Sequence, residues 1–292
     1  MRIALINSGI GLLAAGAALH RMRPDADLVL AFDPDGMPWG PRTPEGIAER
    51  ALLCARAAAR YEPDVLVMAC NTGSVHALGP LRAEFEPRIP VIGTVPAIKP
   101  AAAAHQNVAI WATVATTSSA YQRQLIAEFG GSAKVTAVAC PGLADGIDAG
   151  DEPVTAAAIA AAAEQTPAGC EAIVLGCTEY ELAAERISLA VPGAVTFGSA
   201  SAVAAQALRR IPTGDRGVDG APRGAHATDH PHATNHPHAT NHHGPTVRVL
   251  LSGRLAPLPP AALGYPEGRL LAPMVVADDL EPMAGAGSTL IP

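Results

Sequence analysis

The chain has 292 residues, of which 49% are hydrophobic, 16% are charged and 3% are aromatic. Because one domain takes roughly 100–200 residues, this length predicts one or two globular domains that need no disulfide staples. The net charge of -7 offers no basic field to a phosphate backbone, so nucleic acid is not an expected partner. The low aromatic content disfavours both base stacking and a membrane belt.

The N-terminal apolar run is interrupted by Asn7, Ser8 and several glycines, and it lacks a clear small-residue cleavage site. We interpret it as a strand that enters a helix rather than as a signal peptide. The sequence has no apolar stretch of about 18 residues that is uninterrupted by glycine, so no membrane span is predicted. The five cysteines are irregularly spaced and do not suggest a disulfide framework. These features predict a cytoplasmic protein with free thiols.

Strands alternate with helices in the first third of the chain. The predicted strands are short and apolar, and they cover Arg2–Ile6, Leu28–Phe32, Asp64–Ala69 and Pro90–Gly93. The predicted helices lie between them, at Gly11–Met22, Pro44–Tyr61 and Ser74–Phe85. Such alternation is typical of a parallel sheet that is covered by helices on both faces.

The same alternation restarts after residue 105. The second set of strands covers Asn107–Trp111, Lys134–Ala139, Glu171–Gly176 and Ala194–Phe197. The second set of helices covers Ser118–Phe129, Val154–Gln165, Tyr180–Leu189 and Ser201–Arg210. A final strand-like run, Thr246–Leu251, follows a change in composition.

The two halves resemble each other in detail. A strand begins at Arg2 in the first half and at Asn107 in the second, and Cys70 and Cys177 each follow a buried strand at nearly the same spacing. Two copies of one α/β unit would explain this, although buried parallel strands look alike in many proteins. The sequence thus predicts an α/β fold with two pseudosymmetric domains, mainly parallel sheets and an active site in the cleft between them.

Residues 212–245 differ in composition from the rest of the chain. They contain a six-residue repeat of the type His-Ala-Thr-Asn-His-Pro and show no apolar periodicity, so they cannot bury a core. Histidine tracts bind Ni²⁺ or Zn²⁺ when the ligands are held in place, but nothing fixes them here and no metal site is predicted. The predicted segments are a first domain (1–97 with 209–268), a disordered insertion (212–245), a second domain (98–208) and a flexible tail (269–292).

Cys70 and Cys177 are the candidate reactive groups. Each ends a predicted strand and precedes a helix, and ligands of open parallel sheets bind outside the carboxyl ends of the strands. A lone cysteine is more often a small buried side chain, and Cys54 and Cys170 fit that description. Cys140 has no partner in the pattern. Two thiols at matched positions of two repeats would instead face one ligand from opposite sides.

That arrangement suits the inversion of a stereocentre. One base removes the α-proton from one face, and a conjugate acid returns a proton to the other face, so no redox or imine cofactor is needed. Fixed amides and hydroxyls would stabilise the charge that develops after proton removal.

Several motifs together resemble the aspartate/glutamate racemase superfamily, and the bacterial glutamate racemases within it. The matching segments lie within residues 1–210, with a weaker return near 247–268, and they are Asn7–Gly11, Met37–Gly40, Ala69–Thr72, Gly93–Pro100, Ala112–Thr116 and Gly176–Tyr180. The resemblance implies a cofactor-independent racemase with two facing α/β domains. It also implies a small amino-acid substrate, a homodimer and a role in supplying D-glutamate for peptidoglycan.

The resemblance also implies which residues act. Cys70 and Cys177 match the two catalytic thiols, and Asn7 and Glu179 match the positions that assist them. The implied substrate-binding positions are Asn7, Ser8, Trp39, Gly40, Asn71, Thr72, Thr113, Thr116, Thr178 and Glu179.

This chain departs from the glutamate racemase pattern at three positions. Asn7 replaces an aspartate and cannot take up a proton at neutral pH. Glu179 replaces a histidine, which resembles the aspartate racemases, and Trp39 replaces a tyrosine. Three alternatives therefore stay open: an aspartate racemase or related racemase, a member that binds acidic ligands without turnover, and a superfamily decarboxylase or isomerase. The last is disfavoured because both cysteines are present.

Overall fold

The computed structural model describes residues 1–211 and 244–276. Two sheets form its frame, with six strands in the first and four in the second. Among the named strands of these residues every pairing is parallel, apart from the antiparallel pairing of the last two. The predicted α/β class with mainly parallel sheets is confirmed. Across the described ranges, no helix is both long and apolar enough to cross a membrane.

The first sheet has the strand order β10-β9-β2-β1-β3-β4. Its strands are β1 (Arg2–Asn7), β2 (Asp27–Phe32), β3 (Val65–Met68), β4 (Val91–Gly93), β9 (Val247–Leu251) and β10 (Arg254–Leu255). The helices that pack with it are α1 (Leu12–Met22), α2 (Pro44–Ala59), α3 (Asn71–His76), α4 (Leu78–Phe85), α11 (Ala200–Arg210) and α12 (Pro266–Leu271).

The second sheet has the strand order β6-β5-β7-β8. Its strands are β5 (Asn107–Ala112), β6 (Lys134–Ala139), β7 (Ala172–Leu175) and β8 (Val195–Phe197). Its helices are α5 (Ile98–Ala104), α6 (Val114–Thr117), α7 (Ala120–Phe129), α8 (Leu143–Ala149), α9 (Glu152–Gln165) and α10 (Ala184–Ala190). The strands β2-β1-β3-β4 and β6-β5-β7-β8 have the same order, which supports the predicted duplication.

Alternate residues of the central strands feed two apolar layers. Ile3 and Leu5 of β1 pack on the face covered by α1, α11 and α12, whereas Ala4 and Ile6 pack on the face covered by α2 and α4. This alternation explains why the interior positions of these strands are apolar on both faces. The α1 side of the first sheet belongs to one apolar cluster with Trp111 of the second sheet, so the two halves share a core.

One predicted helix is divided in the structure, because Ser74–Phe85 contains the end of α3 and all of α4. The predicted helix over Ser118–Phe129 corresponds to α7 alone, and the short helix α6 precedes it. Residues Thr178–Ala183 form a 3-10 turn before α10, where a helix from Tyr180 was predicted.

Two predicted segment boundaries need correction. The second domain was predicted to extend to residue 208, but α11 packs on α1, β3 and β4 and so belongs with the first sheet. The predicted flexible tail begins too early, because Leu271 is fully buried and Val275 forms a bridge with Val247. The histidine repeat and residues 277–292 lie outside the described residues. The boundary after residue 97 stays a prediction.

Candidate active site

The candidate site lies at the carboxyl ends of the central strands of both sheets. Asn7 is the last residue of β1, Cys70 follows β3, and Cys177 follows β7. Asn7 and Cys70 are buried and Cys177 is half-buried. The parallel order of the strands explains why polar residues far apart in sequence meet at one edge.

Cys70 is surrounded by backbone amides on one side. It precedes α3 with extended backbone, and its Sγ accepts a hydrogen bond from the Gly73 N–H at 3.4 Å. Burial raises the pKa of Cys70 to about 12, the charge of Glu179 adds to this, and the amides of Gly73 and Thr72 oppose it. At neutral pH the Cys70 thiol therefore keeps its proton.

Cys177 has a carboxylate as its direct partner. Its Sγ donates to Oε2 of Glu179 at 2.8 Å. The pKa of Cys177 lies well above its usual value, first because of burial, then because of the charge and hydrogen bond of Glu179, and also because of the charge of Cys70. The last contribution shows that the two thiols share one electrostatic environment. Glu179 is in position to take a proton from Cys177.

Asn7 holds Glu179 from the other side. Its Nδ2 donates to Oε1 of Glu179 at 3.0 Å and to Oγ1 of Thr178 at 3.2 Å. Its Oδ1 accepts from the Ser8 N–H at 2.7 Å, which fixes the orientation of the amide. Both Thr178 and Glu179 are buried. Asn7 thus positions the carboxylate beside Cys177 without taking part in proton transfer.

Asn71 connects the two halves of the site. Its Nδ2 donates to the carbonyl of Gly176 at 2.7 Å, which links the residue after Cys70 to the residue before Cys177. Its Oδ1 is buried and has no hydrogen-bond partner.

A cavity of about 300 Å³ lies between α3 and the α6–α7 segment. It is lined by four of the predicted binding residues, which are Gly40, Asn71, Thr72 and Thr116. Thr113 lies behind Thr116 and donates from its Oγ1 to the Thr116 hydroxyl at 3.0 Å. Neither Cys70 nor Cys177 is among the lining residues, so the cavity adjoins the thiols through Asn71 and Thr72.

Trp39 is buried and does not present a free polar group to a ligand. Its side chain is 1% exposed, and its indole N–H donates to Asp33 at 2.8 Å. Asp33 is also paired with Arg50 and accepts from Ser252, and these partners hold its pKa low against the effect of burial. Trp39 therefore forms a wall behind the site, and its N–H is not available to a substrate.

Asp148 is a site residue that the sequence reasoning missed. Its Oδ1 accepts from the Ile10 N–H at 2.8 Å, close to Gly9, where a Cβ would overlap the carboxylate. Burial and the charge of Glu179 raise the pKa of Asp148 well above its usual value, and its own charge raises the pKa of Cys70. The available signal was an acidic residue shortly after a strand, at the end of the short helix α8.

The site therefore combines two protonated thiols with two acidic side chains. The residues that line the cavity include no lysine or arginine. Within the described ranges, no group of three or more His, Cys, Asp and Glu is arranged to hold a metal ion. Such a site can hold a small polar molecule and exchange protons with it through sulfur.

Comparison with known proteins identifies the family to which this chain belongs. The model of the Asp/Glu/Hydantoin racemase family matches residues 11–207. A glutamate racemase of Ectopseudomonas mendocina is 32% identical over 214 residues, which are 72% of this chain and 81% of the relative. A glutamate racemase of Pseudomonas putida KT2440 is 34% identical over 217 residues, with 72% and 80% covered.

Solved structures agree with these matches. Escherichia coli glutamate racemase, in complex with L-glutamate and an activator, has a TM-score of 0.71 at 25% identity and covers 90% of this chain and 91% of its own. Glutamate racemase from Aquifex pyrophilus has a TM-score of 0.58 at 30% identity, with 73% and 84% covered. By sequence and by fold, the chain belongs to the Asp/Glu/Hydantoin racemase family.

Proposed function

We propose that this protein interconverts L- and D-glutamate without a cofactor, using Cys70 and Cys177 as its two bases. The observation that carries the proposal is the placement of both thiols after equivalent strands, with the segments beside them joined by the hydrogen bond from Asn71 to the Gly176 carbonyl. The named activity of its relatives supports glutamate as the substrate. A role in supplying D-glutamate for peptidoglycan, in the cytoplasm, forms part of the same proposal.

The reaction exchanges one proton for another at the α-carbon. The thiolate of one cysteine takes the α-proton, an S–H bond forms, and the electron pair of the broken C–H bond passes into the substrate carboxylate. The thiol of the other cysteine then protonates the α-carbon on the opposite face and becomes a thiolate. The two sulfurs have exchanged roles and the product is the other enantiomer.

Each thiol must lose its proton before it can act as a base. For Cys177, Glu179 Oε2 already accepts the S–H and can receive the proton. For Cys70, the N–H groups of Thr72 and Gly73 stabilise the thiolate. The ammonium group of a bound amino acid would add a positive charge near the site, and such a charge favours a thiolate.

Aspartate is the second candidate substrate. Glu179 bonds directly to Cys177 at the position where the glutamate racemase pattern has histidine, and this acidic residue resembles the aspartate racemases. A chiral assay over L- and D-glutamate, L- and D-aspartate and their amides in deuterated water distinguishes these substrates. Absence of both α-deuterium and the opposite enantiomer for every acidic amino acid would reject racemisation and leave a binding role.

Serine variants test the two thiols. We expect Cys70→Ser and Cys177→Ser each to lower racemisation by a factor on the order of 10²–10⁴, because a hydroxyl is a far weaker acid than a thiol. Cys170→Ser is the matched control, since that sulfur donates to the Ala172 carbonyl, as a hydroxyl would also do. Near-normal turnover in either Cys70→Ser or Cys177→Ser would refute the assigned role.

A further inference from the structure

Glu181 lies on the turn that carries Cys177 and Glu179, and the proposed mechanism does not use it. The turn is the 3-10 segment that precedes α10. Oε1 of Glu181 accepts from the N–H and from the hydroxyl of Ser199, both at 2.8 Å, and both carboxylate oxygens accept from the Ala200 N–H at 3.1 Å. The carboxylate therefore binds three donors of one neighbouring segment.

These donors lie at the N-terminus of α11. The first N–H groups of a helix have no partner within the helix, and the helix dipole favours a negative charge there. Ser199 precedes α11, but its side chain makes no capping bond to the helix and donates to Glu181 instead. A carboxylate from another part of the chain thus replaces the local serine cap, which connects the turn to α11.

Gly198 leaves space for this carboxylate. A Cβ at this position would lie 2.5 Å from Oε2 of Glu181, and its three nearest atoms would all belong to the Glu181 side chain. Residue 198 is exposed, and its φ is not among the positive values that favour glycine. The placement of the Glu181 carboxylate therefore explains the glycine.

The contact joins the two sheets. The turn follows β7 of the second sheet, whereas α11 packs on β3 of the first sheet, the strand that leads to Cys70. The bonds of Glu181 thus connect the segment of Cys177 to the layer that holds Cys70. On the same turn, Glu179 accepts from Asn7 of β1 at 3.0 Å. Glu179 and Glu181 therefore both connect the turn to the first sheet.

The contact requires a carboxylate that is withdrawn from water. Burial raises the pKa of Glu181 and the charge of Glu267 adds to this, whereas the bonds from Ser199 and Ala200 lower it. Withdrawing a carboxylate from water costs free energy unless hydrogen bonds compensate. Capping by Ser199 alone would avoid this cost but would not connect α11 to the turn.

We propose that Glu181 is a positioning residue, whose contact with the N-terminus of α11 fixes Cys177 and Glu179 relative to the first sheet. The inference rests on the proposed function only where Cys177 is taken as a base. Without the contact, the turn would move away from the first sheet and expose Cys177 to water. The thiol would then be misplaced for the α-carbon, and it would ionise more readily because burial is the main cause of its raised pKa.

The first test compares Glu181→Ala with Glu185→Ala. Glu185 is exposed on α10, so the control removes the same side chain nearby. We expect Glu181→Ala to lower kcat for L-glutamate by about 10- to 100-fold, because a reacting group would be displaced. KM should change by less than about threefold, because the residues that line the cavity lie on other elements. Glu185→Ala should change both constants within about twofold.

The second test needs no turnover. Alkylation of Cys177 and Cys70 by iodoacetamide is followed in each variant by peptide mass spectrometry. At about pH 8.5, we expect Glu181→Ala to raise the Cys177 rate relative to the Cys70 rate by at least about fivefold, since only the segment of Cys177 loses its contact. An unchanged ratio would overturn the proposal, as would equal changes at the two sulfurs, which a merely structural role would produce.

Gly198→Ala tests the contact without replacing Glu181. The added methyl must displace the carboxylate from α11, so we expect a similar loss of kcat and a similar change in the alkylation ratio. In the Glu181→Ala background, the glycine substitution should change kcat within about twofold, because no carboxylate is left to displace. Additive effects would overturn the proposal. If Glu181→Ala does not fold, Gly198→Ala serves for both tests, with Gly264→Ala, where a Cβ meets no atom within 4 Å, as its control.

The two measurements separate this inference from the proposed function. If the wild type racemises no acidic amino acid and Glu181→Ala still raises the alkylation of Cys177 selectively, the proposed function fails and the positioning role stands. If the wild type racemises glutamate and Glu181→Ala keeps a normal kcat, the positioning role is overturned and the proposed function stands.

Discussion

The two cysteines differ in what surrounds their sulfur atoms. Cys177 donates to the carboxylate of Glu179, whereas Cys70 accepts from the amide of Gly73. In both cases burial is the main cause of a raised pKa. At neutral pH both cysteines are therefore protonated thiols.

The raised pKa of Cys70 predicts how this thiol reacts with an alkylating reagent. Iodoacetamide attacks the thiolate, and the thiolate fraction grows about tenfold per pH unit below a pKa of about 12. We expect the alkylation rate of Cys70, followed by peptide mass spectrometry, to rise about tenfold from pH 7.5 to 8.5 and again to 9.5. An unfolded control should level off near pH 8.5. A plateau below pH 9 in the folded protein would contradict the assigned environment.

We expect replacement of Asp148 by asparagine to raise the free energy of unfolding. Because folding raises the pKa of Asp148, the unfolded chain releases this proton first as pH rises from about 4, and the folded state loses stability through that window. Asp148→Asn removes the titration and can still accept from the Ile10 N–H. We expect a higher free energy of unfolding at pH 7.5, on the order of 1 kcal/mol, and a smaller gain at pH 4, both measured by urea denaturation.

The control for Asp148 lies on the same helix. Asp145 is exposed on α8, so Asp145→Asn should change the free energy of unfolding by less than about 0.5 kcal/mol. Equal stability of wild type and Asp148→Asn at pH 7.5 would show that burial of this carboxyl is not costly.

Sequence reasoning reached the site residues that follow strands and missed those that reach it from elsewhere. Cys70, Cys177 and Glu179 lie directly after buried runs, so the rule for parallel sheets locates them. Asp148 lies on a short helix, and only tertiary packing brings it to the site. The hydrogen bond from Trp39 to Asp33 is also a tertiary contact, which the sequence does not reveal. The prediction that Trp39 binds substrate therefore depended on the family resemblance alone.

At the scale of elements, α3 is the helix that positions Cys70 and Asn71. It packs against β3 and the loop around Trp39 through Gly73, where a Cβ would overlap the sulfur of Met68 and lie 3.0 Å from Cζ3 of Trp39. Met68 and Trp39 are both buried and have little space to move. Close approach at Gly73 thus fixes the height of α3 above the sheet.

A pair of alanine substitutions tests this packing. We expect Gly73→Ala to lower the free energy of unfolding by about 1–3 kcal/mol and to reduce activity, because the added methyl displaces α3. Gly79→Ala on α4 meets no atom within 4 Å and should stabilise the protein by about 0.5–1 kcal/mol. Chemical denaturation measures the change in stability, and the chiral assay in deuterated water measures the change in activity. Equal results for the two variants would show that Gly73 does not limit the approach of α3.

Long elements could be predicted from the sequence and short ones could not. The central strands have uninterrupted apolar runs in their interior, which identifies them without tertiary information. Helix α8 has only seven residues and is bounded by Gly142 and Gly150, both with positive φ, so it is too short to show a helical period. The return of α11 to the first sheet depends on which sheet its apolar side meets, and periodicity contains no such information.

At the scale of the whole molecule, the duplicated strand order accounts for the location of the site. The strands that precede Cys70 and Cys177 have equivalent positions in the two sheets, and one apolar cluster joins the sheets behind them. In the proposed reaction, such a pseudo-twofold arrangement would provide two similar groups for the two faces of one carbon. Assembly into a homodimer, which the family resemblance implies, stays a prediction for sedimentation analysis.

We expect the histidine repeat to be dispensable for folding and for activity. Residues 225–244 show no apolar periodicity, so their deletion should leave the core intact. We expect the deletion variant to keep racemase activity within about twofold and its melting temperature within about 2 °C, because the stability of a fold depends only weakly on the length of a connecting segment. Differential scanning fluorimetry and the chiral assay check this. A large loss of either would show that the repeat is structural or regulatory.

The carboxylate found beside only one sulfur has a kinetic consequence for the two mirror-image substrates. Enantiomers have equal free energies in water, so the Haldane relation requires equal kcat/KM in both directions at every pH. The Haldane relation does not require kcat itself to be equal in the two directions. In the proposed two-base reaction, the direction that begins with Cys177 starts from a sulfur that already donates to Glu179. Its maximal velocity should therefore respond to pH differently from that of the reverse direction, and the two Michaelis constants should shift to compensate.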